Sequence, residues 1–222
     1  MAARDPRPAL FLDRDGVINV DRNYIYRVED FEWIEGAADV IRRFNEKGWW
    51  VFVVTNQSGI ARGYYTEEQM QTLHDWLGVE LEKRDAKIDR IYHCPFHEDG
   101  TIARYTKDSY DRKPKPGMLI RAMTDFPVIK ERSFLIGDKQ ADLEAAQAAG
   151  VRGFLFSGGN SLNPASLRMQ QYLGFRQLWA GPGLHSNGGD MILTGMARAD
   201  CKWLSKEKQS NVLPFPEAPT GS

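Results

Sequence analysis

Pro8-Ala9-Leu10-Phe11-Leu12-Asp13-Arg14-Asp15-Gly16-Val17 sets a short apolar run against two carboxylates two positions apart. An apolar run of this length, bounded by proline on one side and by charge and glycine on the other, reads as a buried strand from Pro8 to Asp13. Four similar runs follow, at Trp49 to Thr55, Ile88 to Cys94, Ser133 to Asp138 and Arg152 to Phe156. Between them lie helical patterns. Ala37 to Lys47 puts Val40, Ile41 and Phe44 on one face and is closed by Gly48. Thr66 to Arg84 carries Met70, Leu73, Leu77 and Leu81 and opens with a capping box, Thr66 to Gln69. Pro116 introduces a helix over Gly117 to Phe126, and Gly150 stops another over Ala141 to Ala149. Strands alternating with helices predict an α/β fold, a doubly wound parallel sheet of Rossmann-like type. Ligands of such sheets bind beyond the carboxyl ends of the strands, where Asp13, Thr55 and Asp138 all fall.

The chain has 222 residues, 42% of them hydrophobic, enough for one sizeable core with an extension. Its 29 basic and 30 acidic residues are mixed along the chain and give a formal charge of -1. No general field favours nucleic acid or an anionic membrane, so any anion must be held by local charge. The two cysteines, Cys94 and Cys201, are too few for a disulfide framework, and the N-terminal residues hold no apolar signal-like core. No apolar stretch approaches a membrane span. A reduced, cytoplasmic protein is expected. After Phe156 the pattern weakens: Ser157-Gly158-Gly159-Asn160 reads as loop, Pro164 to Gly174 as a possible helix, and Gly181 to Gly189 as glycine-rich. The expected organisation is a catalytic domain over 1–160, an extension over 161–213 and a disordered tail over 214–222. Cys201 reads as a small hydrophobe rather than a nucleophile.

Asp13 and Asp15, two apart at a strand end, can point the same way, and Asp138 can add a third carboxylate from a parallel strand. A hard dication such as magnesium relieves that repulsion with oxygen ligands. Taken singly, Asp-Arg-Asp-Gly could be a turn, Asp138 a helix N-cap and Asp142 a solvated first-turn acid. Val54-Thr55-Asn56-Gln57-Ser58-Gly59-Ile60-Ala61-Arg62-Gly63 ends a strand in a hydroxyl and an amide, with glycines that let backbone N–H groups approach a phosphate. Arg112-Lys113-Pro114-Lys115-Pro116-Gly117 adds fixed positive charge ahead of another helix N-terminus.

Asp13-x-Asp15, Thr55-Asn56, Arg112-Lys113-Pro114 and Gly137-Asp138 follow the order of the four motifs of haloacid-dehalogenase-like phosphatases. Within that superfamily the wording resembles heptose bisphosphate 7-phosphatases, with histidinol-phosphate phosphatases as close relatives, over roughly Ala9 to Asn160. The resemblance implies that Asp13 is the nucleophile and that Asp15 protonates the leaving alkoxide and then activates water. It implies that Thr55 and Lys113 stabilise the transferring phosphoryl group, and that magnesium binds Asp13, the Asp15 backbone carbonyl and Asp138. It further implies that Arg112, Asn56 and Lys139 lie against the substrate and that Asp21-Arg22-Asn23-Tyr24 forms a substrate-contacting loop. For Tyr24 and Tyr26, simple loop packing is an equal reading.

One feature of that family is broken. Many of its members carry structural zinc on Cys-x-His and Cys-x-Cys, whereas this chain has Cys94-Pro95-Phe96-His97 and Ser109-Tyr110-Asp111. Structural zinc is therefore expected to be absent, although His93, Cys94, His97 and Asp111 leave an improvised site conceivable. Only about forty residues separate Asp13 from Thr55, too few for an inserted cap domain. The resemblance implies a small phosphorylated substrate, a sugar bisphosphate of heptose and surface-polysaccharide biosynthesis, and a monomer is expected. The alternatives are a histidinol-phosphate or other small-molecule phosphatase, a nucleic-acid 3'-end phosphatase disfavoured by the neutral charge, and a non-catalytic phospholigand-binding protein.

Overall fold

The computed structural model describes residues 5–156. The expected helix over Pro164 to Gly174, the extension, the tail and Cys201 lie outside the described residues. Five strands form one all-parallel sheet: β1 (Ala9–Leu12), β2 (Trp50–Asn56), β3 (Arg90–Cys94), β4 (Phe134–Gly137) and β5 (Arg152–Leu155), in spatial order β3-β2-β1-β4-β5. The chain moves outward from β1 through β2 to β3, then returns to lay β4 on the other side of β1. The switch point therefore lies between β1 and β4, where Leu10, Phe11 and Leu12 pair with Phe134, Leu135 and Ile136. That register brings the residue after each strand, Asp13 and Asp138, to one end of the crevice.

Every side chain of β1 is buried, as a central parallel strand covered on both faces requires. Phe11, Phe52, Val54, Leu119, Leu135 and Ala146 belong to one core cluster, and each large apolar member contributes about 1.5–3 kcal/mol by leaving water. Four helices cover the sheet: α1 (Ala37–Glu46), α2 (Glu67–Glu82), α3 (Gly117–Asp125) and α4 (Gln140–Ala149). The capping box of α2 forms, with Thr66 accepting from the Gln69 N–H and the Gln69 side chain accepting from Thr66 N–H. Between β1 and β2 there is only a loop with one 3-10 turn, Val28–Asp30, and α1. Among the described residues no second domain is inserted there, and no helix is long and apolar enough to cross a membrane.

Candidate active site

Asp13 follows β1 directly, and its backbone N–H donates to Ile136 O of β4 at 2.9 Å, fixing the residue between the two strands. Its carboxylate is almost closed off from water, at 6% exposure. One oxygen, Oδ1, accepts from the Arg14 N–H at 2.7 Å, and the other, Oδ2, sits 3.0 Å from Lys113 Nζ. Burial pushes Asp13 up to about 7, against the opposing pull of Lys113 and with help from Asp142 and Asp15. A carboxylate in that position favours an additional positive charge.

Lys113 is also buried. Its ammonium donates to Val54 O at 2.8 Å and lies 2.5 Å from Asp142 Oδ1, so it spans Asp13 and Asp142. Burial pulls the Lys113 pKa down, and the two carboxylates outweigh it and raise the value. The main chain of Lys113 is held from β2, where Asn56 Nδ2 donates to Lys113 O and Asn56 Oδ1 accepts from Lys113 N–H. Both ends of the Asn56 amide thus brace the lysine.

Asp142 corrects the sequence reading most sharply. It is a buried residue, 1% exposed, rather than a solvated first-turn acid. Besides binding Lys113, it accepts the Lys139 N–H through Oδ2 at 3.0 Å and so caps α4. The N-cap position itself belongs to Lys139, which leaves Asp138 free of the capping role considered for it. Its closeness to β4 depends on Gly137, where an added Cβ would meet Asp142 Cβ at 2.2 Å. The signal available in sequence was an acid four residues after Asp138, on the same side of the first helical turn.

Asp13, Asp138 and Asp142 each offer an oxygen within 4.8 Å of the other two. Asp142 Oδ1 stands in ion-pair contact with Lys113 without an aligned hydrogen bond, and Asp138 Oδ1 is buried with neither an ion pair nor a hydrogen bond. Burial raises the Asp138 pKa, with Lys139 opposing. Two converging carboxylates, one with an orphaned buried oxygen, fit a hard divalent cation such as magnesium. Gly16 permits the approach: its φ is +82°, and a Cβ there would lie 2.3 Å from Asp138 Oδ2.

The Asp15 carboxylate is not part of that trio. It accepts from Arg14 Nε and Nη2 at 3.2 and 3.0 Å, from Asn19 Nδ2 at 2.9 Å and from Gln57 Nε2 at 3.1 Å. Gln57 Nε2 also donates to Thr55 Oγ1 at 2.8 Å, tying Asp15 to the buried hydroxyl at the end of β2. Arg14 is fully buried and also reaches Ile25 O at 2.6 Å, Gln57 Oε1 at 3.3 Å and His74 Nε2 of α2 at 3.0 Å. Sequence reasoning missed Arg14, Gln57 and His74. For Gln57 the clue was its place two residues beyond Thr55 on an extended segment.

The loop after Val20 divides. Asp21 Oδ2 accepts from Lys139 Nζ at 2.9 Å, with that ammonium 3.7 Å from Asp138 Oδ2, so Asp21 and Lys139 reach the crevice. Arg22 instead pairs with Glu32 on the surface. Asn23 and Tyr24 take left-handed backbone angles in succession, φ +61° and +56°, and Tyr24 packs edge-on against Tyr64 at 4.7 Å between centroids. Arg22, Asn23, Tyr24, Tyr26 and Tyr64 line a cleft of about 500 Å³. Arg112 is half-buried, with Nη1 donating to Phe96 O at 3.3 Å.

The remnants of a zinc loop do not gather three ligands at one point among the described residues. Cys94 is buried with its thiol toward Phe96 O, Asp111 pairs with Arg121 at 2.6 Å, and His97 Nε2 lies 3.3 Å from Arg62 Nη2. Among the described residues, the aspartate trio is the group of three or more Cys, His, Asp or Glu side chains placed to share an ion.

The parallel sheet, its switch-point carboxylates and the buried lysine define a hydrolase of the haloacid-dehalogenase-like class, and residues 110–172 match the family described as HAD-hydrolase-like. The chain is 46% identical over 159 residues to a D-glycero-beta-D-manno-heptose-1,7-bisphosphate 7-phosphatase of Rhodopseudomonas palustris, covering 71% of this chain and 88% of that protein. It is 42% identical to a D-glycero-alpha-D-manno-heptose-1,7-bisphosphate 7-phosphatase of Photorhabdus laumondii, covering 68% and 82%. A crystal structure of D,D-heptose 1,7-bisphosphate phosphatase from B. bronchiseptica, complexed with magnesium and phosphate, superposes with a TM-score of 0.62 at 30% identity, covering 69% of this chain and 82% of that one. The chain belongs to the heptose bisphosphate phosphatase family of haloacid-dehalogenase-like hydrolases.

Proposed function

We propose that this protein is a magnesium-dependent phosphomonoester hydrolase that removes the 7-phosphate of D-glycero-D-manno-heptose 1,7-bisphosphate by way of an aspartyl-phosphate on Asp13. The observation that carries the mechanism is the buried Asp13–Lys113–Asp142 array beside the orphaned oxygen of Asp138. The relatives' named substrates supply the ester.

In the first displacement the Asp13 carboxylate attacks phosphorus, forming an O–P bond as the P–O bond to the sugar breaks. Asp15 gives its proton to the departing oxygen. In the second displacement water attacks the same phosphorus, Asp15 takes the proton, and the Asp13 carboxylate leaves. Splitting hydrolysis in this way lowers each barrier. Lys113 holds Asp13 in line and places fixed positive charge beside the phosphoryl oxygens, and the Thr55 hydroxyl, oriented by Gln57, lies at the neighbouring strand end. Asp13 and Asp138 would hold magnesium, which supplies neutralisation of phosphate charge. Arg14, Asn19 and Gln57 keep the Asp15 carboxylate in one orientation for its two proton transfers.

Phosphorus NMR of the products from each anomer of the bisphosphate tests this reading. A free 7-hydroxyl with the anomeric phosphate retained is expected. Release of the anomeric phosphate, or hydrolysis of histidinol phosphate in preference to both anomers, would overturn the assignment of substrate.

A further inference from the structure

His74 is a buried titratable side chain that the two displacements leave unused. Among the buried residues of α2 it is the polar one, set between Met70, Leu73, Leu77 and Leu81 and 4% exposed. An imidazole stripped of water in such a face needs a hydrogen-bond partner. That partner is the Arg14 guanidinium, whose Nη1 stands 3.0 Å from His74 Nε2. A guanidinium only donates, so Nε2 is the acceptor and carries no proton. Burial holds the imidazole down to about 3, with Arg14 and His93 pressing the same way, so the ring is neutral at neutral pH.

Arg14 is thereby held from both ends. Its Nε and Nη2 lie along Asp15, 3.2 and 3.1 Å from Oδ1, with Nη2 also 3.0 Å from Oδ2. Ile25 O and Gln57 Oε1 likewise take Nη2, whereas Nη1 is given to α2 through His74. Because the guanidinium is planar and rigid, holding Nη1 sets the angle at which the opposite edge meets the Asp15 carboxylate. The charge state of the acceptor matters as much as its place. A carboxylate at position 74 would form a second ion pair and draw the positive charge away from Asp15. A neutral imidazole satisfies Nη1 and leaves that charge facing the carboxylate that forms when Asp15 gives up its proton.

We propose that His74 is a positioning residue of the reaction: through Arg14 it holds the Asp15 carboxyl in line with the departing sugar oxygen, and so governs proton transfer rather than substrate binding. This rests on the phosphatase reading of the same site. In the first displacement the proton passes from Asp15 to the sugar oxygen as its bond to phosphorus breaks, and Asp15 is left as an anion against Arg14. In the second displacement attacking water returns a proton to it. A misturned carboxyl slows the departure of an alkoxide, which needs that proton. It barely affects an aryl oxide acidic enough to leave without one.

The experiment compares kcat/KM for heptose 1,7-bisphosphate with kcat/KM for p-nitrophenyl phosphate in the full chain with magnesium, for the unaltered protein, His74→Leu, His74→Gln and His74→Glu. Both values report the steps up to the aspartyl-phosphate, and their ratio is independent of how much of each variant is folded. The ratio, sugar ester over aryl ester, is expected to fall about 10–100-fold in His74→Leu, part of the full worth of general acid catalysis. It should recover in His74→Gln, whose amide oxygen gives Nη1 a neutral acceptor. It should fall again in His74→Glu, which keeps Arg14 partnered but divides its charge. Affinity for the bisphosphate, measured with Asp13→Asn in place, should be the same with and without His74→Leu. An unchanged ratio in His74→Leu or in His74→Glu overturns the proposal, since a merely structural role slows both esters alike. A fall in His74→Gln equal to that in His74→Leu, or a fall matched by weaker binding, overturns it as well. Each of these outcomes leaves the phosphatase reading intact, whereas no release from either ester by the unaltered protein overturns both.

Discussion

Replacing Asp142 by alanine tests whether the array around Lys113 is a working part of the site. The lysine ammonium has three contacts, Val54 O at 2.8 Å, Asp13 Oδ2 at 3.0 Å and Asp142 Oδ1 at 2.5 Å, and both Lys113 and Asp142 are at least 97% buried, being 3% and 1% exposed. Removing one partner of a buried ion pair costs about 3–5 kcal/mol, and losing the cap on the Lys139 N–H adds about 1 kcal/mol. Asp13 still faces the lysine, which places the total toward the lower end. Against a domain stability of about 5–15 kcal/mol, the variant remains folded but its unfolding midpoint in urea drops with an unchanged slope. Asp142→Asn, which keeps the capping oxygen, isolates the charge. Lys113 loses its lateral anchor in both variants, so kcat falls about 10²-fold, the scale of a misplacement of about 1 Å. A stability loss below about 1 kcal/mol, or normal kcat in a folded variant, refutes the assignment of Asp142 as the anchor of Lys113.

Gly16→Ala places a Cβ 2.3 Å from Asp138 Oδ2 at a φ of +82°, so magnesium-dependent turnover collapses while stability falls by only about 1–2 kcal/mol, measured by denaturant unfolding alongside activity. His74 is held down to about 3 by burial, by the Arg14 guanidinium and by His93. Its folded value lies below the unfolded one near 6.5, so the unfolded chain takes up a proton first and stability is lost as pH falls from about 6.5 toward 3. Between pH 6.5 and 5 this contributes about 2 kcal/mol of destabilisation, which His74→Gln removes from the pH profile of unfolding. Metal analysis of purified protein is expected to find no stoichiometric zinc, and a zinc chelator should leave the melting temperature unmoved; one tightly held zinc per chain would contradict the reading that Cys94, His97 and Asp111 do not share an ion.

The sheet was legible because each strand is an apolar run cut short by a polar residue, and the parallel arrangement follows from helices between successive strands. All five strands fall within the stretches expected of them, to within two residues at either end. Asp13, Thr55 and Asp138 were legible for the same reason, since they sit where strands end, and Lys113 was legible from the basic, proline-bounded run ahead of α3. Asp142 was not, because a first-turn acid has an ordinary explanation in the helix dipole, and only the missing Cβ of Gly137 draws it inward. Arg14 was hidden by the general rule that guanidinium groups face water. Its burial depends, beside its neighbour Asp15, on partners from three separate segments, Ile25, Gln57 and His74, whose convergence no local pattern announces. The protein partners of Asn56 and Arg22 were equally hidden: one braces Lys113 and the other pairs with Glu32, contacts between segments far apart or at loop spacing that no motif spells out.

The most direct test of the central claim is the rate of phosphate release from heptose 1,7-bisphosphate with magnesium by the full chain, beside Asp13→Asn at equal folded concentration. The account predicts turnover by the unaltered protein and its loss in Asp13→Asn, because the amide cannot form the O–P bond. Turnover by Asp13→Asn near that of the unaltered protein would contradict an intermediate on Asp13.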